Sequence, residues 1–320
     1  MKILTWHVHG NYLLYLTRFS GHEFFLPVDK NGDGGRGTVF PFGDNVKDIA
    51  AEDVMRSKFD CILFQHKKNW IEDQHRILSG EQKRLPRIYL EHDPPLEHPS
   101  EQIHPAANET DVLLVHVTHF NALAWNSGSA ATRVIEHGVF LTKEHSSTYE
   151  LDRGITAINN ITTRGRRAGA DIFQRAIASG VPLDLVGMNA EAAGGLGEVS
   201  PPRLPEFLSR YRFYFNPSRY TSLNLAVIEA MMVGLPVVGL ATTEMVTVIE
   251  NGVNGYIDTD VRKLIAPMLE LVRNKTLARE LGAAARDHAR ARFDIARFTK
   301  DWNAAFNFVT GATRASAIAH

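Results

Sequence analysis

Residues 216–240 read NPSRYTSLNLAVIEAMMVGLPVVGL and contain a strand end, a helix and a second strand in one short stretch. The first strand, 212–216, is expected to stop at Pro217, which cannot donate a hydrogen bond to a sheet. A helix is predicted to begin near Leu223, and the strand 236–240 follows it directly. The stretch therefore predicts a β-α-β unit, the building block of parallel α/β folds.

The predicted helix carries one charged residue, Glu229, and is otherwise apolar on every face. Such a helix is typical of a protein interior, where a carboxylate is costly unless it accepts hydrogen bonds. Either the paired hydroxyls of a ribose or an internal arginine could donate those bonds. Thr221 or Ser222 is placed to cap the helix, whose first-turn N–H groups form a natural anion site.

The same alternation of short apolar runs and amphipathic stretches continues on both sides of this segment. It pauses in the polar stretch 142–153, which suits a linker between domains. We therefore predict two doubly wound, Rossmann-like α/β domains at 1–150 and 151–294, with ligands at the carboxyl ends of their strands. The expected strands are 3–8, 23–28, 61–65, 88–91, 112–117, 132–135, 155–160, 183–187, 212–216, 236–240 and 255–258.

Composition and sequence pattern argue against a nucleic-acid-binding, a secreted and a membrane-spanning protein. The 320 residues hold 35 Lys plus Arg against 36 Asp plus Glu, so no strong field is available to attract a nucleic acid. The lone Cys61 cannot form an internal disulfide, and the start MKILTWHVHG lacks the pattern of a signal peptide. The apolar run 225–241 is shorter than a membrane span. We expect a cytoplasmic protein.

Histidines are concentrated in the first half, with 12 of the 14 between His7 and His145. His7 and His9 have the spacing of metal ligands on a strand, but the sequence fixes no third ligand, so zinc is not favoured. Since the carboxyl ends of parallel strands share one edge of a sheet, a polar pocket is predicted there. The histidines at or just beyond predicted strand ends are His7, His9, His66, His92, His116, His119 and His137.

Three arginines, Arg164, Arg166 and Arg167, directly follow the predicted strand 155–160. Gly165 allows the backbone to bend there, and guanidinium groups suit a diphosphate. The alternative interpretation is a basic turn that faces water.

The segment 216–240, with VIENGVNGYI at 248–257, resembles the nucleotide-binding signature of retaining GT-B glycosyltransferases of the family 4 type, the glycosyl transferases group 1. Thr221 stands where that family has a first Glu, which contacts the donor sugar. The resemblance implies two Rossmann-like domains that face a central cleft, a helix at 295–310 that crosses back to the N-terminal domain, and a tail at 311–320. The matching residues are Pro217, Ser218, Glu229, Ala230, Met231, Gly234, Pro236, Val237, Val238, Asn254 and Gly255.

The resemblance also implies roles for individual residues. Glu229 would hold the nucleotide ribose, the arginines would neutralise the departing diphosphate, and His92 would lie near the transferred sugar. The catalytic candidates are His92, Arg164 and Arg167. The candidates for donor binding are Gly10, Asn11, Arg166, Thr221, Ser222, Leu223 and Glu229. The candidates on the acceptor side are His7, His9, Asp93 and His119.

The expected activity is hexosyl transfer from a nucleotide-diphosphate sugar, UDP- or GDP-linked, to a hydroxyl of a sugar, lipid-linked or small-molecule acceptor. The resemblance implies retention of configuration, no metal or other cofactor, and a place in glycan, cell-envelope polysaccharide or glycoconjugate synthesis. The basic and aromatic stretch KKNW at 67–70, with Lys83, Arg84 and Arg87, leaves weak peripheral membrane contact as an alternative to a solvated helix.

Two other functions stay open at this point. A sugar-nucleotide epimerase on the same fold would need carboxylates for acid and base chemistry, and the candidates are Glu91, Asp93 and Glu244. A non-catalytic binder of sugar nucleotides is the second alternative, because Thr221 replaces the family's first Glu.

Overall fold

The computed structural model describes residues 1–141 and 145–311, which form two compact units. The first unit combines Met1–Gly138 with the chain from Ile295 onward, and the second is Val139–Asp294. The domain boundary expected at 150 therefore falls inside the second unit. Ser147 and Thr148 donate backbone hydrogen bonds to Val233 and Ser209, and these bonds fix the stretch before 150 in the second unit.

The first unit contains a seven-stranded sheet with the order β3-β2-β1-β4-β5-β6-β7. Every recorded pair in it is parallel, so all seven carboxyl ends lie at one edge. Its strands are β1 (Lys2–Thr5), β2 (Glu23–Val28), β3 (Val46–Ala50), β4 (Cys61–Phe64), β5 (Arg87–Glu91), β6 (Val112–His116) and β7 (Ala131–Val134). Its helices before residue 138 are α1 (Gly10–Arg18), α2 (Gln74–Ile77) and α3 (His119–Ala124).

Strand β3 is the one that the sequence pattern does not predict. Its sequence, VKDIA, buries only Val46, because the strand lies at the edge of the sheet and pairs with β2 alone. An edge strand exposes its polar side chains, so it lacks the continuous apolar run of a central parallel strand.

Trp70 belongs to the core of the first unit and does not form an exposed membrane-binding face. Its side chain is 6% exposed and meets the ring of Phe64 edge-on at a centroid distance of 4.9 Å. The guanidinium of Arg87 lies 5.2 Å from the Trp70 ring and also pairs with Asp111 at 2.6 Å. The basic and aromatic stretch, for which membrane contact is the alternative to a solvated helix, is thus partly used in folding. In the described chain, no helix combines the length and the apolarity that a membrane crossing requires.

The second unit contains a five-stranded parallel sheet with the order β12-β11-β10-β8-β9. Strand β9 lies on one side of β8 and β10 on the other, so the order of the strands reverses between β8 and β10. This position is a topological switch point, where a crevice opens at the carboxyl ends of the two strands. The strands are β8 (Gly154–Ala157), β9 (Leu183–Val186), β10 (Phe213–Asn216), β11 (Val237–Leu240) and β12 (Gly255–Asp258).

Helices connect these strands and cover the sheet. They are α4 (Ile161–Ala168), α5 (Ala170–Ala178), α6 (Leu204–Leu208), α7 (Leu225–Val233), α8 (Met245–Val248), α9 (Val261–Arg273) and α10 (Lys275–Arg292). The chain also has short 3₁₀ helices at Val54–Arg56, Gln82–Arg84, Ala190–Ala193 and Pro201–Arg203, and a π-helical turn at Asn69–Asp73.

The last described helix, α11 (Ile295–Thr310), belongs to the first unit. Trp302 and Phe306 lie four residues apart on its buried face, and both are 0% exposed. Nε1 of Trp302 donates a hydrogen bond of 3.0 Å to the hydroxyl of Tyr12. Helix α11 therefore completes the core of the unit that begins at residue 1.

Candidate functional site

Two segments meet at the switch point of the second unit: helix α4, which follows β8, and the loop 217–224, which follows β10. Gly169, just after α4, has a φ of +83°, and a Cβ atom placed on it would lie 2.0 Å from the carbonyl oxygen of Pro217. The backbone N–H of Arg219 donates to the carbonyl of Arg167 at 3.0 Å. The loop is therefore fixed directly against the arginine-bearing segment.

The arginines lie in a helix, α4, and not in a turn directly after the strand, as the sequence suggests. Asn160 adopts a left-handed conformation, with φ of 54°, so the chain turns from β8 into α4 within a few residues. Gly165, with φ 55° and ψ −134°, puts a kink in the middle of this helix. The physical reason for the difference is that Asn is the non-glycine residue that most readily adopts this conformation.

The three arginines have different surroundings. Arg166 is exposed and pairs with Asp171 at 2.9 Å. Arg164 is half-buried in the first turn of α4. Arg167 is half-buried, and its Nη1 atom is buried without a hydrogen bond to any residue that the structure describes. A buried guanidinium N–H without an acceptor is costly, and a bound anion would supply the acceptor.

Arg219 and Asp171 lie at the candidate site, and the sequence interpretation did not identify them. The guanidinium of Arg219 contacts both carboxylate oxygens of Asp171, at 2.5 and 2.6 Å, and also donates to the carbonyl of Arg166 at 2.7 Å. The hydrogen bond from Arg219 is the main cause that lowers the pKa of Asp171. The pair joins the start of α5 to the loop 217–224. No sequence motif signals it, because the partners are 48 residues apart.

Helix α7 begins two residues later than predicted. Leu223 is buried, and Asn224, in an extended conformation with ψ of 134°, is the N-cap in place of Thr221 or Ser222. The side chain of Asn224 makes no capping hydrogen bond in the described chain. The N–H of Val227 donates to the carbonyl of Asn224 at 3.0 Å. In the described chain this leaves the N–H groups of Leu225 and Ala226 to an anion at the switch point.

Glu229 lies in the second turn of α7 and is 1% exposed. Its charge is one cause, after burial, that raises the pKa of Tyr214 on β10. The Tyr214 hydroxyl in turn donates to the carbonyl of Ala157, the last residue of β8, at 3.1 Å. A carboxylate thus lies inside the second unit, beside the two strands that define the switch point.

Glu244, after β11, has a structural environment. It is 2% exposed, pairs with Arg292 at 3.2 Å and accepts a hydrogen bond of 2.9 Å from the Thr247 hydroxyl. The preceding Thr242 donates to the carbonyl of Ser218 at 3.3 Å, which joins this turn to the loop 217–224.

In the first unit the structure brings together some of the predicted histidines. The rings of His9 and His92 lie 4.2 Å apart, and Tyr12 meets His92 and His137 edge-on at 4.9 and 5.6 Å. Burial, followed by the neighbouring His9, His137 and His66, lowers the pKa of His92 well below its ordinary value. We call His9, His92 and His137 the histidine group.

Other candidates of the first unit lie outside this group. His7 donates from Nδ1 to the carbonyl of Gly35 at 2.9 Å and packs against Phe40 and Phe42. A Cβ on Gly10 would lie 2.0 Å from the Phe40 ring, so that ring occupies the space beside Gly10. Asn11, the second residue of α1, is half-buried. His119 is the exposed first residue of α3.

His104 and His116 form a second, buried pair. His104 contacts Glu91 at 3.1 Å through Nε2, and His116 lies 3.3 Å from the hydroxyl of Ser127. The other Glu91 oxygen accepts the backbone N–H of Asp93 at 2.9 Å. Over residues 1–141 and 145–311, no group of three or more His, Cys, Asp or Glu side chains is arranged to hold a metal ion.

Residues 175–274 match the family model of the glycosyl transferases group 1, which confirms the resemblance to that group. None of the curated proteins matches the chain by sequence.

Solved structures share the fold over nearly the whole chain. A sucrose-phosphate synthase from Thermosynechococcus elongatus matches with a TM-score of 0.72 and 14% identity, over 98% of this chain and 100% of that one. HepE from Anabaena, in complex with UDP-glucose, matches with a TM-score of 0.69 and 14% identity, over 99% and 100%. AviGT4, a glycosyltransferase of avilamycin A biosynthesis, matches with a TM-score of 0.64 and 14% identity, over 98% of each chain. The α/β fold with two Rossmann-like units, as in GT-B glycosyltransferases, is therefore confirmed.

Proposed function

We propose that this chain, which matches the glycosyl transferases group 1 over residues 175–274, is a glycosyltransferase that uses a nucleotide-diphosphate sugar. The observation that carries the proposal is the Nη1 of Arg167, which is buried at the switch point of the second unit without a hydrogen-bond partner among the residues that the structure describes. The loop 217–224, whose Arg219 N–H donates to the Arg167 carbonyl, leads into α7, which begins without a side-chain cap in the described structure. One anion, such as the diphosphate of the donor, would satisfy both groups.

In the proposed reaction the second unit binds the donor. Arg167 and Arg164, with the first two N–H groups of α7, hold the diphosphate and stabilise the charge that develops as it leaves. Glu229 accepts hydrogen bonds from the ribose hydroxyls. Arg166 stays paired with Asp171 and contributes to the local positive potential.

The first unit is proposed to present the acceptor hydroxyl through the histidine group and Asp93. We infer a front-face displacement with retention of configuration. In it, an oxygen of the donor diphosphate takes the acceptor proton while the glycosidic oxygen leaves with the diphosphate. No metal ion takes part in this proposal. The UDP-glucose bound to HepE favours UDP over GDP as the nucleotide, and a hexose as the sugar.

An epimerase is less well supported, because two of its three candidate carboxylates already have structural partners. Glu244 pairs with Arg292, and Glu91 with His104 and the backbone of Asp93. A non-catalytic binder is separated from a transferase by turnover alone. Release of UDP from UDP-glucose, by transfer or slow hydrolysis, would support the transferase. Conversion of the sugar without UDP release would support the epimerase, and binding without either would support the binder.

The central test is the affinity of the Glu229→Gln variant for UDP, measured by calorimetry. A charge-assisted hydrogen bond contributes about 1.5–3 kcal/mol, so the dissociation constant should rise roughly 10- to 100-fold. Glu280→Gln, at an exposed position of α10, is the matched control and should bind as the wild type does. Equal UDP affinity in Glu229→Gln and wild type would contradict the proposed site.

A further inference from the structure

Gln65 follows β4 and connects the core of the first unit to His92. It is 3% exposed, and its Nε2 atom lies 2.9 Å from the Thr5 hydroxyl and 2.8 Å from the carbonyl of Trp6. Its Oε1 atom lies 3.2 Å from Nε2 of His92. The oxygen and nitrogen of an amide are distinguished by their partners, so the partners decide which way this side chain points.

The partners of Gln65 allow one orientation. The carbonyl of Trp6 can only accept a hydrogen bond. The Thr5 hydroxyl donates its own proton to the carbonyl of Leu63 at 2.8 Å, so toward Gln65 it also accepts. Both neighbours therefore require the NH₂ group of Gln65, and the amide oxygen must face His92.

This orientation determines the proton on His92. An amide oxygen can only accept, so Nε2 of His92 carries the hydrogen, and in the neutral ring Nδ1 is then the accepting nitrogen. His9, His66 and His137 are the bases near the ring, and burial with these neighbours disfavours a second proton. The hydroxyl of Tyr12, whose ring faces His92, also stays protonated because burial raises its pKa. Arg297, the positive charge that acts on Tyr12, donates to the carbonyl of His137.

We propose that Gln65 is a positioning residue that holds His92 as the neutral Nε2–H tautomer, with Nδ1 as the hydrogen-bond acceptor. This role rests on the proposed function, in which His92 lies near the transferred sugar. A neutral histidine with an accepting Nδ1 binds a sugar hydroxyl as the hydroxyl's acceptor and does not serve as a general acid. The fixed chain from Leu63 through Thr5 and Gln65 to His92 sets that polarity before a substrate binds.

The direct test is the ¹⁵N NMR spectrum of the histidine side chains in the wild-type protein, with the His92 signal assigned by His92→Gln. We expect a protonated Nε2 and an unprotonated Nδ1 that do not change between pH 8 and pH 6. A proton on Nδ1, or titration of His92 near the ordinary value for histidine, would overturn the proposal. This measurement reads the wild-type protein and needs no variant of Gln65.

Two variants then test whether Gln65 is the cause. Gln65→Glu places a carboxylate beside Nε2 and should raise the pKa of His92 by roughly 1–3 units. Gln65→Met keeps the size but removes the acceptor, so the spectrum should become a mixture of both tautomers. An unchanged His92 spectrum in both variants would refute the positioning role.

Activity and nucleotide binding separate this inference from the proposed function. UDP affinity should be the same in Gln65→Glu and wild type, because Gln65 belongs to the first unit. The rate of UDP-glucose hydrolysis should begin to fall on acidification at a higher pH in Gln65→Glu than in the wild type, because the pKa of His92 is higher in the variant. If NMR showed the expected tautomer but the protein never turned over UDP-glucose, the positioning role of Gln65 would stand and the proposed function would be refuted.

Discussion

At the scale of single residues, Arg167 and Arg166 offer a matched pair on one helix. Arg167 has a buried Nη1 with no hydrogen-bond partner in the described chain, whereas Arg166 is exposed and paired with Asp171. We expect Arg167→Met to weaken UDP binding roughly 10- to 100-fold, because one charge-assisted contact is lost. Arg166→Met should change the dissociation constant only a few-fold. If calorimetry showed a larger loss of UDP affinity in Arg166→Met than in Arg167→Met, the diphosphate would be assigned to Arg166 instead.

His116 should make the stability of the first unit depend on pH. Burial, with the nearby His104, lowers the pKa of His116 to about 3. An unfolded chain binds a proton on this histidine below about pH 6.5 while the folded protein does not, so acidification favours unfolding. Between pH 7 and pH 5 this one group should remove about 2 kcal/mol of stability.

The measurement is the free energy of urea unfolding at pH 7 and pH 5 in three proteins. His116→Gln should lose less stability on acidification than the wild type by about that amount. His98→Gln, at an exposed position, is the control and should follow the wild-type pH dependence. The same pH dependence in His116→Gln and wild type would contradict the prediction.

At the scale of elements, Gly169 holds α4 against the loop 217–224. Gly169 and Gly180 both have a φ of +83°, but a Cβ on Gly180 would meet nothing within 4 Å, whereas one on Gly169 would meet Pro217. Gly180→Ala should therefore cost only the left-handed strain, about 1–2 kcal/mol. Gly169→Ala should cost more and should also weaken UDP binding, because Pro217 must move. Thermal unfolding and calorimetry of the two variants check this, and equal effects would argue against the contact.

Periodicity predicts most of the elements, for a physical reason. The central strands of a parallel sheet are buried on both faces, so their sequences are continuous apolar runs, as in Cys61–Phe64 and Val237–Leu240. Strand β3 is not predicted by periodicity because only Val46 is buried there. The sequence predicts the start of α7 two residues too early. Thr221 and Ser222 both suit an N-cap by sequence, but the extended backbone of Asn224 makes that residue the N-cap. The helical state of the arginine segment depends on a left-handed Asn160, which is a property of the folded backbone.

At the scale of the whole molecule, α11 should decide the stability of the first unit. Trp302 is fully buried and bonded to Tyr12, so Trp302→Ala should cost about 3–5 kcal/mol. Phe308, on the same helix, is 55% exposed, and Phe308→Ala should cost about 1 kcal/mol or less. Denaturant unfolding followed by circular dichroism measures both. Similar losses in the two variants would mean that α11 does not complete this core.

The candidate site was predictable where one segment carries it and unpredictable where distant segments meet. Glu229 stands out because it is the one charge in an apolar helix, and the arginines because they follow a strand. The pair of Arg219 and Asp171, and the role of Gln65, depend on contacts between residues that are 48 and 27 or more positions apart. The histidines could be assigned to one sheet edge, but the division into two groups is set by side-chain packing.

The composition of the first unit from residues 1–138 and the chain from Ile295 has a consequence for synthesis on the ribosome. The ribosome needs roughly 10–30 s to make the intervening residues, at about 5–20 residues per second. During that time the apolar surface around Tyr12 is not covered by Trp302 and Phe306. Chaperones that bind apolar surface can therefore reach it. The second unit is continuous and can fold as soon as it emerges. The half of the protein that leaves the ribosome first is therefore the half that finishes folding last.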